Sequence, residues 1–266
     1  MVTDDLTLHV MSFNIRCDTG KAYVGDPDCW QDREPIVSKF LAETQPDIVG
    51  VQELMYHQIP AIQTGLSSKY SYIGESRDNS KAGELGAIFY NTERLILNYW
   101  NQQWLSDEPT VKESNTWGND VTRIVTWGEF TDMATDKTFT VANTHLDHIS
   151  EYSRIRSAEM LVNMFGTKSP MILMGDFNAD SHVDTKEHDI LNAAFQDTLR
   201  VSRKHLNPDY GTFSDYKEPS MDATRIDWIL SSRDITVRET STHTFNVNGR
   251  YPSDHLPISA WIELTA

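Results

Sequence analysis

The chain has 266 residues, of which 39% are hydrophobic and 23% are charged, and its formal net charge at pH 7 is −16. This length is enough for one large domain or two small ones with a substantial core. A chain this acidic, with no basic stripe, is unsuited to tight, nonspecific binding of duplex DNA. It can still be a nuclease, because a bound metal ion changes the charge at its own site.

Neither a membrane span nor a secretion signal is predicted. The chain has no run of about 18 apolar residues, and its first residues, Met1-Val2-Thr3-Asp4-Asp5, lack the apolar core of a signal peptide. Its two cysteines, Cys17 and Cys29, have no CxxC spacing and make no disulfide framework. We therefore expect a cytoplasmic protein, or a secreted one if a signal peptide has been removed.

Short apolar runs with strand character recur along the chain, and stretches with helical spacing lie between them. Strands are predicted at Leu8–Phe13, Ile48–Val51, Ala87–Tyr90, Leu95–Tyr99, Ile124–Phe130, Phe139–Ala142, Met171–Met174, Ile226–Leu230, Ile235–Val237 and Ile258–Ile262. Helices are predicted at Ile36–Leu41, Ile59–Leu66, Ile155–Phe165 and Ile190–Phe195, with Ser153 as the candidate N-cap of the third. Many strands interleaved with few helices predict a sheet-rich, layered α/β or α+β domain, which we expect to span residues 1–266.

The motif Gly175-Asp176-Phe177-Asn178 directly follows the apolar run Met171–Met174. An apolar run that ends in glycine is typical of a buried strand followed by a turn. Such a turn presents a carboxylate and a carboxamide at the end of a strand, where α/β proteins place ligands. Asp176 can serve as a base or a metal ligand, and Asn178 can hold a water molecule or a phosphate oxygen.

Other polar residues lie next to the ends of predicted strands. They are Asn14, Glu53, Glu84, Arg123, Asn143, His145, Asp227, Asp254 and His255. Singly, each is typical of a turn, an Asx cap or a solvated face. Together they form a set of metal ligands, bases and phosphate donors that turn chemistry alone does not explain, and they indicate phosphoester chemistry.

The motifs, taken in order from Ser12-Phe13-Asn14 to Ser253-Asp254-His255, resemble the endonuclease/exonuclease/phosphatase superfamily. This is the fold shared by DNase I, apurinic/apyrimidinic endonucleases, neutral sphingomyelinases, inositol-polyphosphate 5-phosphatases and the nocturnin-like deadenylases. The resemblance covers almost the whole chain. It implies a four-layer sandwich of two mixed sheets packed face to face with helices outside, and in-line attack of water on phosphorus.

The resemblance implies a role for each metal-site and water-site residue. Glu53 is the expected main ligand of Mg²⁺, for which Mn²⁺ can substitute, and Asp254 lies near that metal. Asn14 contacts metal-bound water or phosphate. Asp176 is the base or orients the attacking water, and Asn178 holds that water or a phosphate oxygen.

The remaining residues are expected around the phosphate. His255 binds phosphate or passes a proton, with Asp227 as its acidic partner. His145 stands where DNase I-like and deadenylase-like members carry histidine and apurinic endonucleases carry tyrosine. Glu84 is expected to orient His145. In addition, Arg123 and Asn143 match phosphate-contact positions, whereas we expect His148 to be a local helix-start or surface residue.

Arg16 departs from the apurinic endonucleases, which carry an acidic metal-binding residue two positions after the motif asparagine. Arginine cannot ligate a metal ion, so the DNA-repair branch is disfavoured. The inositol 5-phosphatase signature is also absent, since Arg225-Ile226-Asp227-Trp228 stands in its place. The segments around His145 and His255 are most similar to the nocturnin/deadenylase-related branch and its bacterial relatives.

Three functions stay open. The first is a metal-dependent phosphoesterase acting on a small or nucleotide-like phosphorylated substrate, and the second is a nuclease acting on RNA or DNA, which the net charge disfavours. A non-catalytic binding module is the third, and the presence of Glu53, Asp176 and His255 argues against it. Four aromatic residues in loop-like segments, Trp30, Trp117, Tyr210 and Phe213, either stack on a base or sugar or pack in the core.

Overall fold

The computed structural model describes residues 5–78, 80, 83–183 and 185–265. The strands are β1 (Leu6–Asn14), β2 (Ile48–Leu54), β3 (Tyr70–Ile73), β4 (Leu85–Asn91), β5 (Leu95–Trp104), β6 (Ile124–Asp132), β7 (Thr138–His145), β8 (Met171–Asp176), β9 (Gln196–Asp197), β10 (Lys204–Leu206), β11 (Asp227–Ser231), β12 (Thr236–Thr242) and β13 (Ile258–Leu264). The helices are α1 (Trp30–Thr44), α2 (Ile59–Leu66), α3 (Glu151–Phe165), α4 (Lys186–Ala194) and α5 (Thr198–Val201), with one 3₁₀ turn at Tyr56–Gln58.

Within these ranges the strands form two mixed sheets. The first has seven strands in the order β10-β12-β13-β1-β2-β4-β3, and the second has six in the order β5-β6-β7-β8-β11-β9. The parallel pairs β1–β2 and β7–β8 lie at the middle of their sheets. Each pair is joined by a helical crossover, and so both strands of a pair end at the same edge of the sheet.

Alternating apolar residues divide the core into layers. In β1, Leu8 and Val10 pack between the two sheets, whereas Met11 and Phe13 pack against α1 and α2. A third cluster fills the space between the second sheet and helices α3 and α4. The period of two along each strand therefore buries both faces of both sheets. The resulting order is helices, sheet, sheet, helices, as predicted.

The predicted strands and helices all overlap observed elements, and the differences are local. The short strands β3, β9 and β10 are not predicted, because a few residues carry too little periodicity. Helix α3 begins one turn earlier than expected. Its N-cap is Ser150, whose hydroxyl accepts from the backbone N–H of Ser153 (3.1 Å). Among the described residues, no helix combines the length and apolarity needed to cross a membrane.

A buried ion pair fixes the segment that leads into β11. The guanidinium of Arg225 donates to both oxygens of Asp197, at 2.6 and 2.9 Å, and His188 Nε2 lies 3.2 Å from the same carboxylate. Both partners of the fork are at least 96% buried, since Asp197 is 2% and Arg225 4% exposed. Burial alone raises the pKa of Asp197, but Arg225 and His188 outweigh it and lower the net pKa below the usual range.

Replacing Asp197 with asparagine is expected to lower the free energy of unfolding by about 3–5 kcal/mol, because Arg225 is left buried without its counter-charge. A carboxyl group whose pKa is lowered in the folded state stabilises the protein above its unfolded pKa of about 3.9, and that contribution is lost as the pH falls through the folded value. Urea denaturation should therefore show that Asp197→Asn has a lower free energy of unfolding than the parent chain at pH 7. The difference between the two should become smaller only in acid. The exposed Asp222→Asn variant is the control, and equal stability of Asp197→Asn and the parent chain would contradict the prediction.

Candidate active site

Strand register brings three predicted residues side by side. In the second sheet, His145 at the end of β7 pairs with Asp176 at the end of β8, and Asp176 pairs with Asp227 at the start of β11. From the first sheet, β1 and β2 end nearby with Asn14 and Glu53. The two sheets therefore deliver these side chains to one end of the sandwich, where Glu53, His145 and Asp176 line a cleft of about 670 Å³.

Gly175 allows the close approach of strands at this edge. Its φ is +155°, and a Cβ at this position would lie 2.0 Å from the carbonyl oxygen of Thr144. Any side chain would therefore collide with β7. The glycine of the motif is thus required by the packing of β8 against β7, directly beside Asp176.

Asp176 is the centre of the cleft. Its Oδ2 accepts from Asn14 Nδ2 (3.0 Å) and lies 3.4 Å from His145 Nε2 and 3.8 Å from His255 Nε2. Its Oδ1 accepts from the backbone N–H of Asn178 (3.0 Å). The side chain is therefore fixed by two hydrogen bonds, and one of its oxygens faces both histidines.

The two histidines differ in charge. The Asp227 carboxylate accepts from His255 Nδ1 at 2.9 Å. Burial opposes the charge of His255, but Asp227 and Asp176 raise its pKa well above the usual value, so His255 is an imidazolium at neutral pH. Burial and the nearby Arg123 instead lower the pKa of His145 well below its usual value. His145 is therefore neutral, and its Nε2 accepts from Asn178 Nδ2 at 3.0 Å.

Asp176 is suited to act as a base near neutral pH. Burial, followed by the charge of Asp227, raises its pKa to about 7, although His255 and the hydrogen bond from Asn14 oppose this shift. General bases are most effective when their pKa lies close to the working pH.

The activity is expected to follow a bell-shaped pH profile in kcat/KM. Its rising limb near pH 7 reports deprotonation of Asp176, and its falling limb, well above pH 6.5, reports loss of the His255 proton. In Asp227→Asn both limbs should move to lower pH, because the charge that raises both pKa values is gone. Asp222→Asn should leave both limbs in place. Limbs that stay where they are in Asp227→Asn would remove Asp227 from this role.

The predicted metal ligands lie beside Asp176, in a part of the cleft that we call the metal end, since Asn14 Nδ2 contacts both Asp176 and Glu53. Glu53 Oε1 accepts from Asn14 Nδ2 (3.1 Å), and Oε2 accepts from the backbone N–H of Cys17 (3.0 Å). Burial and the adjacent imidazoles act in opposite directions on Glu53, but together with these hydrogen bonds the result is a pKa below the usual range. Glu53 is therefore ionised. The Asp254 carboxylate lies at the same end, where Ser253 Oγ donates to its Oδ1 (3.2 Å).

Three residues of the cleft have a left-handed backbone. Arg16, Glu53 and Asn178 all have left-handed φ values, of +59°, +57° and +49°. Each such residue costs of the order of 1–3 kcal/mol and persists only where the surroundings impose it. The strain is consistent with selection for side-chain placement in the cleft.

Two groups of residues could hold a cation. The oxygens of Glu53 and Asp254 suit a hard ion such as Mg²⁺, which commonly takes one or two protein carboxylates. Asp176, Asp227 and His255 also place one ligand atom each within 4.8 Å of one another. In this second group both imidazole nitrogens face carboxylates and His255 is protonated, so a proton already supplies the positive charge. The donor chemistry therefore fits a metal at Glu53 and Asp254.

Two arginines form a cationic wall beside this metal end. We define the wall as Arg77 and Arg123, which line the cleft together with His148. Arg123 is 4% exposed, and its Nη2 donates to His148 Nδ1 at 3.0 Å. Within the described residues, the Nε atoms of Arg77 and Arg123 are buried without a hydrogen-bond partner. Burial and repulsion from Arg77 lower the pKa of Arg123, although the carboxylates of Glu84 and Asp147 oppose this shift.

Glu84 does not orient His145 as predicted. Its carboxylate accepts from Arg77 Nη2 at 2.9 Å, and the hydrogen bond to the His145 ring comes from Asn178. The correction follows from Arg77, which was not among the predicted site residues and offers Glu84 a closer positive partner. Glu84 lines the cleft by supporting the cationic wall.

Asn143 does not reach the cleft. It has no exposed surface, and its Nδ2 donates to the carbonyls of Val51 (3.0 Å) and Ala87 (2.9 Å) in the first sheet. Its Oδ1 accepts from Gln52 Nε2 (2.7 Å). This corrects the prediction of a phosphate contact: Asn143 points between the sheets and joins them beneath the site.

The aromatic residues separate into core and cleft. Trp30 begins α1 and Trp117 packs under Arg156, and each is 5% exposed. Phe213 is 38% exposed, lines the cleft and packs edge-on against His255 with ring centroids 5.2 Å apart. Of these three, only Phe213 is placed to contact a bound molecule.

Sequence reasoning missed Arg77 as a site residue and placed His148 at the surface. Arg77 lies in the irregular stretch before β4, where no strand end marks it. His148 comes three residues after His145, and its functional contact with Arg123 spans 25 residues. The spacing His145-x-x-His148 was the available signal. For Arg16, the sequence predicted only that it cannot ligate a metal ion.

Two mixed sheets that bring an Asp–His pair, Asp176 and the carboxylates of Glu53 and Asp254 together at one edge are typical of phosphoester hydrolases. The model of the endonuclease/exonuclease/phosphatase family matches residues 11–255. The chain belongs to this family. Its members are metal-dependent hydrolases that act on phosphoester bonds, and this chain is an enzyme of that kind.

Solved structures of family members are similar over nearly the whole chain. An endonuclease/exonuclease/phosphatase family protein from Bacteroides thetaiotaomicron is 29% identical with a TM-score of 0.90, and the match covers 98% of this chain and 96% of that one. The mannosyl-6-phosphatase of the same organism is 31% identical with a TM-score of 0.85, covering 96% and 99%. The catalytic domain of human nocturnin is 18% identical with a TM-score of 0.70, covering 98% and 97%, and shares the fold.

Proposed function

We propose that this chain is a Mg²⁺-dependent phosphomonoesterase that acts on a small phosphorylated compound, with a sugar phosphate as the favoured class. The observation that carries the proposal is the cationic wall of Arg77 and Arg123, which lines the same cleft as the carboxylates of Glu53 and Asp254. A terminal phosphate is a dianion with three free oxygens, and guanidinium groups match its geometry. The similar protein named mannosyl-6-phosphatase supports the sugar phosphate class.

The chain's own residues divide the reaction between them. Asp176 accepts a proton from the water that attacks phosphorus, while Asn14 and Asn178 hold the base and the adjacent ring in place. His255 donates its Nε2 proton to the leaving oxygen as the bond from phosphorus to that oxygen breaks, and Arg123 and Arg77 stabilise the charge that develops on the phosphoryl oxygens. Mg²⁺ bound by Glu53 and Asp254 would supply Lewis-acid polarisation of the phosphate.

The cleft disfavours a nuclease. In addition to the carboxylates at the metal end, those of Asp180 and Asp215 line the cleft. The net charge of the chain is −16. A bound polynucleotide would place several phosphates near these carboxylates, which repel them. Binding a polynucleotide usually takes a basic groove that follows its backbone. A small substrate places one phosphate at the cationic wall and needs no such groove.

A cytoplasmic location and a single domain over residues 1–266 complete the proposal, and the family match to residues 11–255 supports the single domain.

The test is a substrate panel with purified protein and Mg²⁺ or Mn²⁺. The panel contains hexose 6-phosphates, dinucleotides, NADP-like compounds, poly(A) and sphingomyelin. We expect release of inorganic phosphate from a phosphomonoester at a kcat/KM at least about 10²-fold above any diester, a difference of about 2.7 kcal/mol in transition-state binding. Faster cleavage of poly(A) or of a dinucleotide would overturn the proposal in favour of a nuclease.

Replacing Arg77 with methionine is expected to raise KM for the phosphomonoester by about 10- to 100-fold. Hydrogen bonds to charged groups contribute about 1.5–3 kcal/mol each, and methionine keeps the unbranched apolar part of the side chain without its charge. The control is Arg238→Met, since Arg238 is 49% exposed and pairs with Glu263 on β13. A KM that does not differ between the two variants would remove Arg77 from substrate binding.

A further inference from the structure

Arg16 places a fixed positive charge at the metal end of the cleft. Its Nη1 lies 3.7 Å from Glu53 Oε2, and its Nε lies 3.8 Å from Asp254 Oδ2. These two carboxylates are the oxygen donors that the proposed metal requires. The guanidinium therefore competes for the same oxygens that a cation would use.

The backbone of Arg16 is held in place from three sides. Its N–H donates to Asn14 Oδ1 (3.0 Å), and its carbonyl accepts from Arg33 Nη2 (3.1 Å) and Gln58 Nε2 (3.1 Å). Arg33 is 1% exposed and also donates to the carbonyl of Ile15. These bonds maintain the left-handed φ of +59°, and so the start of the side chain is directed rather than mobile.

The guanidinium is aimed by a third carboxylate. Arg16 Nε and Nη2 donate to the two oxygens of Asp28, at 3.2 and 3.5 Å. Asp28 Oδ1 in turn accepts from Tyr216 Oη (2.7 Å). Asp28 does not line the cleft, so its contact fixes Arg16 without occupying the site. The third contact explains why the guanidinium rests between Glu53 and Asp254 rather than in solvent.

The oxygens and charges at this end leave room for one divalent ion. Glu53 and Asp254 carry two negative charges, and Arg16, which also pairs with Asp28, offsets part of that charge. One oxygen of each carboxylate faces Arg16, while the other oxygen accepts from Asn14 or from Ser253. Two-metal phosphoesterase sites need shared oxygens between ions about 3.5–4 Å apart. A second ion would therefore have to displace the guanidinium.

We propose that Arg16 is a positioning residue that takes the place of a second cation and limits the site to one divalent ion. This inference rests on the metal end of the proposed function. It predicts that the parent chain binds one Mn²⁺ per molecule. Removing the guanidinium leaves Glu53 and Asp254 with both charges uncompensated, and a second ion should then bind.

The test is titration of the purified protein with Mn²⁺, following the free ion by electron paramagnetic resonance. We expect one ion per chain for the parent and for Arg16→Lys, which keeps the charge, and two for Arg16→Ala and Arg16→Gln. Arg238→Ala, which makes the same change in net charge far from these carboxylates, should bind one. Circular dichroism shows whether each variant is folded, and the two neutral variants provide independent readings.

Two ions or none in the parent chain, or one ion in a folded Arg16→Ala or Arg16→Gln variant, would overturn the inference. The readout is independent of turnover. If the substrate panel fails while the number of bound ions rises from one to two, the proposed substrate class is wrong and the role of Arg16 stands. If the panel succeeds and both neutral variants still bind one ion, the role of Arg16 is wrong and the proposed substrate class stands.

Discussion

Replacing Asp176 with asparagine is expected to lower kcat by at least about 10²-fold while leaving the fold intact. General base catalysis typically contributes 10²- to 10⁴-fold, and a carboxamide cannot accept the proton of the attacking water. The substitution keeps the size of the side chain, and its oxygen can still accept from Asn14 or from the backbone of Asn178. The loss should therefore fall on kcat rather than on KM.

The matched control is Asp136→Asn. Asp136 is exposed in a surface turn with φ +61°, a conformation that asparagine tolerates well. Steady-state kinetics on the best phosphomonoester, with thermal unfolding of both variants, separates catalysis from stability. Asp176→Asn should also lose the rising limb of the pH profile near pH 7. Unchanged turnover in Asp176→Asn would exclude Asp176 as the base.

Replacing Glu53 with glutamine is expected to raise the Mg²⁺ concentration for half-maximal activity by at least about 10-fold. Even residues that only support metal ligands typically contribute 10- to 100-fold to metal affinity. Glutamine lacks the negative charge that binds the metal. Both oxygens of Glu53 accept hydrogen bonds, from Asn14 Nδ2 and from the Cys17 N–H, so the NH₂ group of glutamine would face one of these donors.

Metal titrations of activity and of Mn²⁺ binding measure this effect. Glu43→Gln is the control, because Glu43 is 54% exposed on α1. The opposite result, identical titration curves for Glu53→Gln and the parent, would move the metal away from Glu53. The remaining candidate would then be the group of Asp176, Asp227 and His255.

The fold was largely predictable because its signal is local. The continuous apolar run of β8 reports burial on two faces, and the helical spacing of α3 reports burial on one. The position of the helix start was less predictable. Ser150 and Ser153 are both good caps, and only the hydrogen bond from the Ser153 N–H to the Ser150 hydroxyl distinguishes them.

The site was predictable in its residue types and less so in its contacts. Asp176, His255 and Asp227 were expected together, and the register of β8 with β11 places the two aspartates opposite each other. Asn143 has the same strand-end signal, but its side chain faces the other sheet. A strand end does not reveal which face a residue takes when both faces are buried.

The sequence by itself determined which chemistry is available to this protein. A glycine before an aspartate at a strand end, an Asp–His pair and a glutamate after an apolar strand indicate a base, a proton donor and a metal ligand, since residue type fixes what each group can donate or accept. Only the tertiary structure decided how they are combined. The contact from Asn14 to Asp176 joins residues 162 positions apart, and that from Ser253 to Asn14 joins residues 239 apart. The charge of each histidine, the pairing of Arg77 with Glu84, and the place of Arg16 between two carboxylates depend on such contacts, because burial and neighbouring charges set protonation and binding.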